Sequence, residues 1–222
     1  SCFHCETPEV FIADDEDYTD FDGFYGSRHW MDSSSEIFER EGGKFMRIIP
    51  LTREYLKEFE RVRLKSIKVF GRLRPTFDGK RRASFEELFE KPRVKIYPRE
   101  DRDLSEYIDA RDKAVFLAVS DRGKGRITLR SNWNNFAYVE ELYVSESARG
   151  QEIGRRLVKR AEDWAAERRL KGLMLETQDL NLAACRFYAK TGFQIGGVDT
   201  LLYEGLGTEL AEKRAIFWYK IF

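Results

Sequence analysis

The chain of 222 residues is poor in the side chains that form nucleophile–base pairs. It has two histidines, His4 and His29, and three cysteines, Cys2, Cys5 and Cys185. Beyond residue 45 there is no histidine and one cysteine, so that part cannot by itself supply a Ser-His-Asp triad, a Cys-His pair or a His-based zinc site. Three cysteines are also too few for a disulfide framework, which indicates a reducing compartment and predicts a cytoplasmic location.

The sequence also lacks long apolar runs and a strong overall charge. No run approaches the roughly 18 apolar residues of a membrane helix, and no secretory apolar segment is visible near the start, so no membrane partner is expected. Lysine plus arginine and aspartate plus glutamate each number 39. Residues 1–45 hold 12 acidic and 3 basic side chains, which leaves an excess of nine basic ones in the remainder. A mildly basic remainder suits an anionic cofactor better than a nucleic-acid groove, so no nucleic-acid partner is expected.

This uneven charge divides the chain into two parts. Residues 1–45 are predicted to be an acidic N-terminal extension that is partly disordered or docked, because acidic clusters alternate there with scattered aromatics. Cys2-x-His4-Cys5 has no second pair of ligands, so we predict no metal site. Residues 46–222 are predicted to be one folded domain.

Apolar periodicity predicts a mixed α/β arrangement of the folded domain. A first strand over 45–51 precedes a helix capped by Thr52, and the basic stretch 61–82 is interpreted as a solvated helix face and loop. Ser84 and Glu87 form a capping box for a short helix that Pro92 ends, and a short amphipathic turn follows over 103–108. The later predicted strands lie at 114–119, 126–131, 136–144, 172–177, 194–203 and 214–221. The later predicted helices lie at 154–169 and 182–191, the second one ended by Gly192.

One strand–loop–helix unit, at about 138–168, is suited to binding an anion. The loop contains Gly150 and Gly154, and successive backbone N–H groups at a helix N-terminus favour a pyrophosphate. Arg149, Arg155 and Arg156 add positive charge. Because neither a P-loop lysine nor a Gly-x-Gly-x-x-Gly run is present, this is not a common nucleotide-binding loop. The unit alone supports only an anion site.

Two segments resemble the GNAT superfamily of N-acetyltransferases. Residues 149–154 (RGQEIG) resemble its acyl-CoA loop, and residues 181–193 (NLAACRFYAKTGF) resemble its Asn-x-x-Ala-x-x-Phe-Tyr-x-x-x-Gly-Phe segment. The chain departs from the loop pattern at Glu152, where the family usually has glycine. Within this superfamily, five further segments are similar to the streptothricin (nourseothricin) acetyltransferases: 132–134, 140–141, 173–179, 197–200 and 216–219. The resemblance covers about 93–222, more weakly from 46, and leaves residues 1–45 outside.

The resemblance implies the GNAT fold, with a mixed central sheet whose middle strands splay apart, and acetyl-CoA as the cofactor. It implies that the backbone N–H of about Leu142 polarises the thioester carbonyl and that Tyr188 protonates the departing thiolate. The positions expected to bind the cofactor are Leu142, Val144, Arg149, Gly150, Gln151, Ile153, Gly154, Arg155, Asn181 and Tyr188. Asn181 is also expected to cap the following helix.

The resemblance further implies an amine acceptor and therefore a base. Without a histidine in the domain, the candidates for the base are carboxylates acting directly or through water: Glu140, Glu141, Glu176, Asp179 and Asp199. Neighbouring residues of a strand point to opposite faces, so only one of Glu140 and Glu141 is expected to face the pocket, and Glu141 is preferred. The residues expected to bind a cationic acceptor are Trp133, Glu140, Glu176, Asp179, Asp199 and Trp218.

The function implied is transfer of an acetyl group to the β-lysine moiety of streptothricin-type antibiotics, which gives resistance by inactivation. Two alternatives stay open: an acetyltransferase acting on a protein or peptide lysine or a polyamine, and a non-catalytic acyl-CoA-binding regulatory domain. A homodimer is common in the superfamily, and the terminal strand near 216–222 is a candidate for pairing across it.

Overall fold

A single large sheet carries the chain's functional residues. The computed structural model describes residues 11–13, 36–40, 44–62, 66–78, 81–97, 103–121, 123–150, 152–204 and 213–222. The strands within them are β1 Phe11–Ala13, β2 Glu36–Arg40, β3 Lys44–Pro50, β4 Ser66–Asp78, β5 Arg81–Ile96, β6 Lys113–Ser120, β7 Gly123–Ser131, β8 Ala137–Ser145, β9 Gly172–Gln178, β10 Gln194–Asp199 and β11 Ala215–Ile221. The α-helices are α1 Leu56–Arg61, α2 Ile153–Glu167 and α3 Leu182–Lys190. None of these helices is long and apolar enough to cross a membrane.

The strands of this sheet follow the order β10-β11-β9-β8-β7-β6-β3-β2, and β1 pairs separately with β8. The pairs β8–β9 and β1–β8 are parallel, and the other pairs are antiparallel. The sheet is therefore mixed and mainly antiparallel with helices packed on it, which confirms the predicted fold class.

Two apolar cores lie on opposite faces of the sheet. Along β6, Phe116 and Ala118 belong to the first core, whereas Val115 and Leu117 belong to the second, as the alternation of a strand requires. The first core also holds the apolar stripe of α2 and the inner side of α3. The second holds Phe59 of α1 and the first part of β4. Both helices that flank the predicted cofactor site thus lie on one face.

Most predicted elements of the second half of the domain are confirmed within a few residues. These are β6 to β9, α2, α3, β10 and β11, as well as the 3-10 turn Ser105–Tyr107. Gly192 ends α3 with a φ of 89°, a left-handed conformation that favours glycine. β2 and β3 extend the sheet to residues before 46. Thr52 precedes a 3-10 turn, but its side chain makes no capping hydrogen bond.

The prediction for residues 61–92 was wrong. Instead of a helix face, a loop and a second short helix, β4 and β5 form a long antiparallel hairpin. Ser84 lies opposite Pro75, and Glu87, the expected capping-box residue, accepts a hydrogen bond from Nε of Arg74 at 2.8 Å. The helical pattern failed because tertiary contacts override local preference. Ile67 and Val69 pack in the second core, and Leu73, beyond a register shift in the hairpin, packs in the first.

The hairpin is fixed to the end of β9 and the start of α3. The N–H of Leu73 donates to the carbonyl oxygen of Asp179 at 2.9 Å, and Arg72 lies 3.7 Å from the Asp179 carboxylate. Arg186 of α3 forms a two-pronged ion pair with Glu86 of β5. Where β4 crosses α3 most closely the chain has Gly71, whose added Cβ would lie 2.9 Å from Cδ2 of Leu182 and 2.6 Å from the Glu87 carbonyl oxygen.

The terminal strand has no free edge for most of its length. β11 pairs with β10 on one side and with β9 on the other, and only its last residues extend past β10. The expectation that this strand pairs across a dimer is therefore wrong for the stretch 215–219. Among the described strands of this end of the sheet, β10 is the outermost.

Gly71→Ala tests whether the hairpin depends on this close crossing. Because backbone and Leu182 must move to admit a methyl group, we expect a loss of about 1–3 kcal/mol in the free energy of unfolding. Gly197→Ala is the matched control, since a Cβ at Gly197 meets no atom within 4 Å and should change stability by less than about 0.5 kcal/mol. Denaturant unfolding of both variants gives the comparison. Equal stabilities would contradict the close crossing.

Candidate active site

The central feature of the site is a gap between two parallel strands. β8 and β9 pair only at Ala137↔Leu173 and Tyr138↔Met174. From Val139 onward β8 keeps its partner β7, and β9 keeps its partner β11, so the facing edges separate. Leu142 and Val144, both predicted to contact the cofactor, lie in the diverging part of β8. A strand edge of this kind offers backbone donors and acceptors to an extended ligand.

A β-bulge lies where the divergence begins. Thr128 of β7 is opposite Glu141, but the next residue, Leu129, is opposite Val139. Glu140 is therefore an extra residue in β8, and such a residue re-aims the side chains around it. The prediction that Glu140 and Glu141 point to opposite faces was wrong for this reason. Both carboxylates reach arginines on the same face of β7.

The two carboxylates of the bulge differ in the burial of their partners. Glu141 forms an ion pair with Arg126, which is 4% exposed and whose Nη1 also donates to the Phe59 carbonyl oxygen of α1 at 2.6 Å. Glu140 accepts a hydrogen bond from the Tyr107 hydroxyl at 2.5 Å. It also lies 3.1 Å from Nε of Arg130, whose side chain is 41% exposed. Tyr107 and Arg126 were not among the predicted site residues, because nothing in the local sequence relates them to the bulge.

The anion-binding loop has the geometry that its glycines predict. A 3-10 turn, Glu146–Ala148, leads to Gly150 with a φ of 68°, and α2 begins at Ile153. A Cβ on Gly154 would lie 3.0 Å from the ring of Phe187, so this position holds α2 close to α3. Gln151 lies outside the described residues. Arg149 is half-buried, while Arg155 and Arg156 are exposed on the first turn of α2, where positive charge and free N–H groups suit an anion.

Glu152 occupies a position where the family usually has glycine, and its backbone conformation shows why glycine is favoured there. Its φ of 69° and ψ of −3° are left-handed, a conformation that costs a residue with a side chain roughly 1 kcal/mol. The side chain is about half exposed and lies 3.2 Å from Nη1 of Arg155. Glu152 therefore partly neutralises one of the loop arginines.

Tyr188 lies at the centre of an aromatic cluster on α3. Its ring centroid is 5.3 Å from that of Phe193 and 5.9 Å from that of Trp218. The residue is 0% exposed, and its hydroxyl has no hydrogen-bond partner among the described residues. Burial is the main cause that raises the pKa of Tyr188 well above its ordinary value, so the phenol stays protonated at neutral pH. A buried hydroxyl without a partner is rare and suggests a place for a ligand atom or water.

The other residues predicted for the site are distributed unevenly. Asn181 is confirmed as the cap of α3, since its Oδ1 accepts from the Ala184 N–H at 3.2 Å. Glu176 of β9 is buried and accepts a hydrogen bond from the Tyr203 hydroxyl. Its charge is also among the causes that raise the pKa of Tyr188, after burial and Cys185. Tyr203 comes from the turn after β10 and was not anticipated.

Two of the predicted acceptor residues make structural contacts, and a third is exposed. Asp199 accepts from the N–H groups of Leu201 and Leu202, which closes a turn. Asp179 is buried at the hairpin, where it accepts from the Arg214 N–H at 3.2 Å; burial raises its pKa, opposed by that bond and by Arg72. Trp133 is 92% exposed at the tip between β7 and β8.

Trp218 is buried and lines a cavity of about 560 Å³ between the hairpin, α3 and β10. Among the described residues that line this cavity, Glu86 is the one acidic side chain, and it pairs with Arg186. The carboxylates predicted to bind a cationic acceptor therefore do not line it. Three carboxylates predicted for the site, Glu140, Glu141 and Glu176, lie instead where β8 and β9 diverge.

Comparison with known proteins gives a consistent result. Residues 82–193 match the model of the acetyltransferase (GNAT) family. The chain is 42% identical over 173 residues to streptothricin acetyltransferase A of Bacillus subtilis, covering 78% of this chain and 98% of that protein. It is 38% identical over 109 residues to a streptothricin acetyltransferase of Escherichia coli, covering 49% of this chain and 62% of that protein.

Two solved structures share the architecture. A Bacillus anthracis protein assigned as a streptothricin acetyltransferase, in complex with acetyl coenzyme A, superposes with a TM-score of 0.70 at 35% identity, covering 80% of this chain and 97% of that one. A nourseothricin acetyltransferase superposes with a TM-score of 0.63 at 25% identity, covering 79% and 98%.

Glu140 and Glu141 are a matched pair for measuring how much each ion pair of the bulge contributes to stability. Glu141→Gln leaves the buried Arg126 without its counter-charge, so we expect a loss of about 3 kcal/mol in the free energy of unfolding. Glu140→Gln affects the more exposed Arg130 and should cost less than about 1 kcal/mol. Denaturant titration of both variants measures the two losses in the free energy of unfolding. A larger loss for Glu140→Gln than for Glu141→Gln would contradict the assignment of Glu141–Arg126 as the buried pair.

Proposed function

The chain belongs to the acetyltransferase (GNAT) family, and from that membership we propose that it moves an acetyl group from acetyl-CoA to a primary amine of a streptothricin-type antibiotic. The observations that carry this proposal are the opening between β8 and β9 and the buried hydroxyl of Tyr188, which has no hydrogen-bond partner in the part of the chain that the structure describes. The acceptor class is supported by the 42% identity to the Bacillus subtilis enzyme over nearly all of that enzyme.

The residues of the loop and of β8 fit acetyl-CoA. Backbone N–H groups around Gly150 and at the start of α2, with Arg149 and Arg155, would hold the pyrophosphate. The edge of β8 at Leu142 and Val144 would bind the extended pantetheine through its backbone. Bound there, the cofactor supplies an acetyl group activated as a thioester. Asn181, already bonded to α3, would contribute from the other side of the cleft.

A residue of this chain can then be assigned to each step of the acetyl transfer. The Leu142 N–H would stabilise the carbonyl oxygen as negative charge develops on it. The phenol of Tyr188 would donate its proton to the departing thiolate, and its raised pKa means that it carries that proton at neutral pH. Its hydroxyl has no partner to give up before it does so.

The acceptor amine must lose a proton, and the carboxylates at the divergence are the candidates. Glu141, preferred from the sequence, remains a prediction, but it could accept a proton only by weakening its bond to Arg126. Glu176 is buried on β9 beyond the last pair with β8 and accepts a hydrogen bond from the Tyr203 hydroxyl, which supports it as the group that orients the amine. With either carboxylate, a bridging water would carry the proton from the amine to the carboxylate.

The proposal includes a biological setting. Acetylation of the β-lysine amine would inactivate the antibiotic and so confer resistance. Because this chemistry draws on acetyl-CoA and the chain has few cysteines, we place it in the cytoplasm. A homodimer stays a prediction, and edge-to-edge pairing would involve β10 rather than β11.

The substrate is tested by CoA release. Purified protein with acetyl-CoA and nourseothricin is expected to release CoA, detected with a thiol reagent, and to give an antibiotic product heavier by one acetyl group. A lysine-containing peptide and a polyamine serve as competing acceptors at the same concentration. A higher rate with either of these than with nourseothricin would reassign the acceptor.

Tyr188→Phe separates the catalytic role of the tyrosine from a packing role. Removing a buried hydroxyl without a partner should leave the melting temperature unchanged or slightly raised. Loss of the general acid should lower kcat by about 100-fold or more. The assay is CoA release, with thermal unfolding as the control. An unchanged rate in a folded variant would remove Tyr188 from the mechanism.

Glu152 is expected to weaken cofactor binding through its charge and to strain the loop through its backbone. Glu152→Gln removes only the charge, so acetyl-CoA should bind a few-fold more tightly, about 1 kcal/mol at most for an exposed pair. Glu152→Gly should show the same gain and also raise the free energy of unfolding by about 1 kcal/mol, because it relieves the left-handed strain. Calorimetric titration and denaturant unfolding measure the two effects separately. Weaker binding by both variants would contradict this account.

A further inference from the structure

β1, in the N-terminal extension, lies on the part of β8 that diverges from β9. Phe11, Ile12 and Ala13 pair in parallel with Tyr143, Val144 and Ser145. β7 already occupies the other edge of β8 there, since Gly125 is opposite Val144. β1 also contacts β4 and α3. The open edge of β8 is thus covered by backbone from the same chain.

We propose that β1 is an internal competitor of the cofactor. The inference rests on the proposed function, which places the pantetheine on this same edge of β8. A backbone N–H donates to one main partner at a time, and each buried group needs one. Pairing of β8 with β1 and pairing with the cofactor therefore exclude each other over Tyr143–Ser145.

The extension that contains β1 is additional to the enzyme domain. The Bacillus subtilis relative is matched over 98% of its length by 78% of this chain, and the sequence resemblance stops near residue 46. An extended segment that adds to an exposed strand edge is a known mode of peptide binding. Here the bound segment and its receptor are parts of one chain, so its effective concentration is high without a second molecule.

The short length of β1 sets the size of the effect. Three paired residues make few hydrogen bonds, and each adds only a small net stabilisation. The cofactor can therefore displace β1, and the apparent affinity falls by the fraction of molecules in which the edge is free. We expect a reduction of about three- to tenfold relative to a chain whose β1 does not pair.

Substitutions in the intact chain test the competition in one direction. Ile12→Pro removes a backbone donor and disfavours the strand, so acetyl-CoA should bind about three- to tenfold more tightly by calorimetric titration. Ile12→Val keeps the donor and the strand preference and should match the unaltered chain. Equal affinities in all three proteins would overturn the proposal.

A reversible crosslink tests it in the other direction. Ala13 and Ser145 are opposite each other, so Ala13→Cys with Ser145→Cys places two thiols where a disulfide can form. Oxidation should abolish acetyl-CoA binding and a reductant should restore it, whereas Ala13→Cys alone should bind under both conditions. Undiminished binding by the crosslinked protein would overturn the competition. If the unaltered chain and Ile12→Pro both fail to bind acetyl-CoA, the proposed function fails instead.

Discussion

The divergence of two parallel strands is the constraint on which the site depends. A sheet normally satisfies its backbone groups by continuous pairing, yet β8 and β9 pair at two positions and then separate. The separation leaves donors and acceptors in the interior of the domain rather than at its rim. They need a partner, and either an extended ligand or another strand can supply it. The loop before α2, proposed above as the pyrophosphate site, lies at the end of β8, so one strand and the loop that follows it would contact both parts of a long phosphorylated cofactor.

Buried charges fix the shape of this opening. The bulge at Glu140 starts the divergence, and the Glu141–Arg126 pair connects it to α1 through the Phe59 carbonyl oxygen. On β9, Asp179 connects the end of the strand to the β4–β5 hairpin. Such pairs contribute little net stability because desolvation offsets their attraction. Breaking one leaves an unpaired buried charge, however, which restricts the strands to a single arrangement.

Much of this was predictable from the sequence, and the failures share one cause. Strand alternation, α2, α3 and the loop are local patterns. The left-handed backbone of Glu152 was not predicted, although it is consistent with the glycine usual at that position in the family. The β4–β5 hairpin, the partner of Glu141 and the Tyr203–Glu176 contact all depend on residues distant in sequence. The bulge moved Glu140 to the face of Glu141, because a single inserted residue reverses the alternation on which the prediction relied.

The aromatic cluster explains how Tyr188, the proposed general acid, can be both part of the core and chemically available. Packing against Phe193 and Trp218 fixes the ring of Tyr188, so the position of its hydroxyl does not depend on a hydrogen bond. The same burial keeps the phenol protonated. Because ring packing alone positions this hydroxyl, no hydrogen bond has to break before the hydroxyl donates its proton to a thiolate. An acid positioned by hydrogen bonding would first have to break that bond, so apolar packing serves this role better than a polar network.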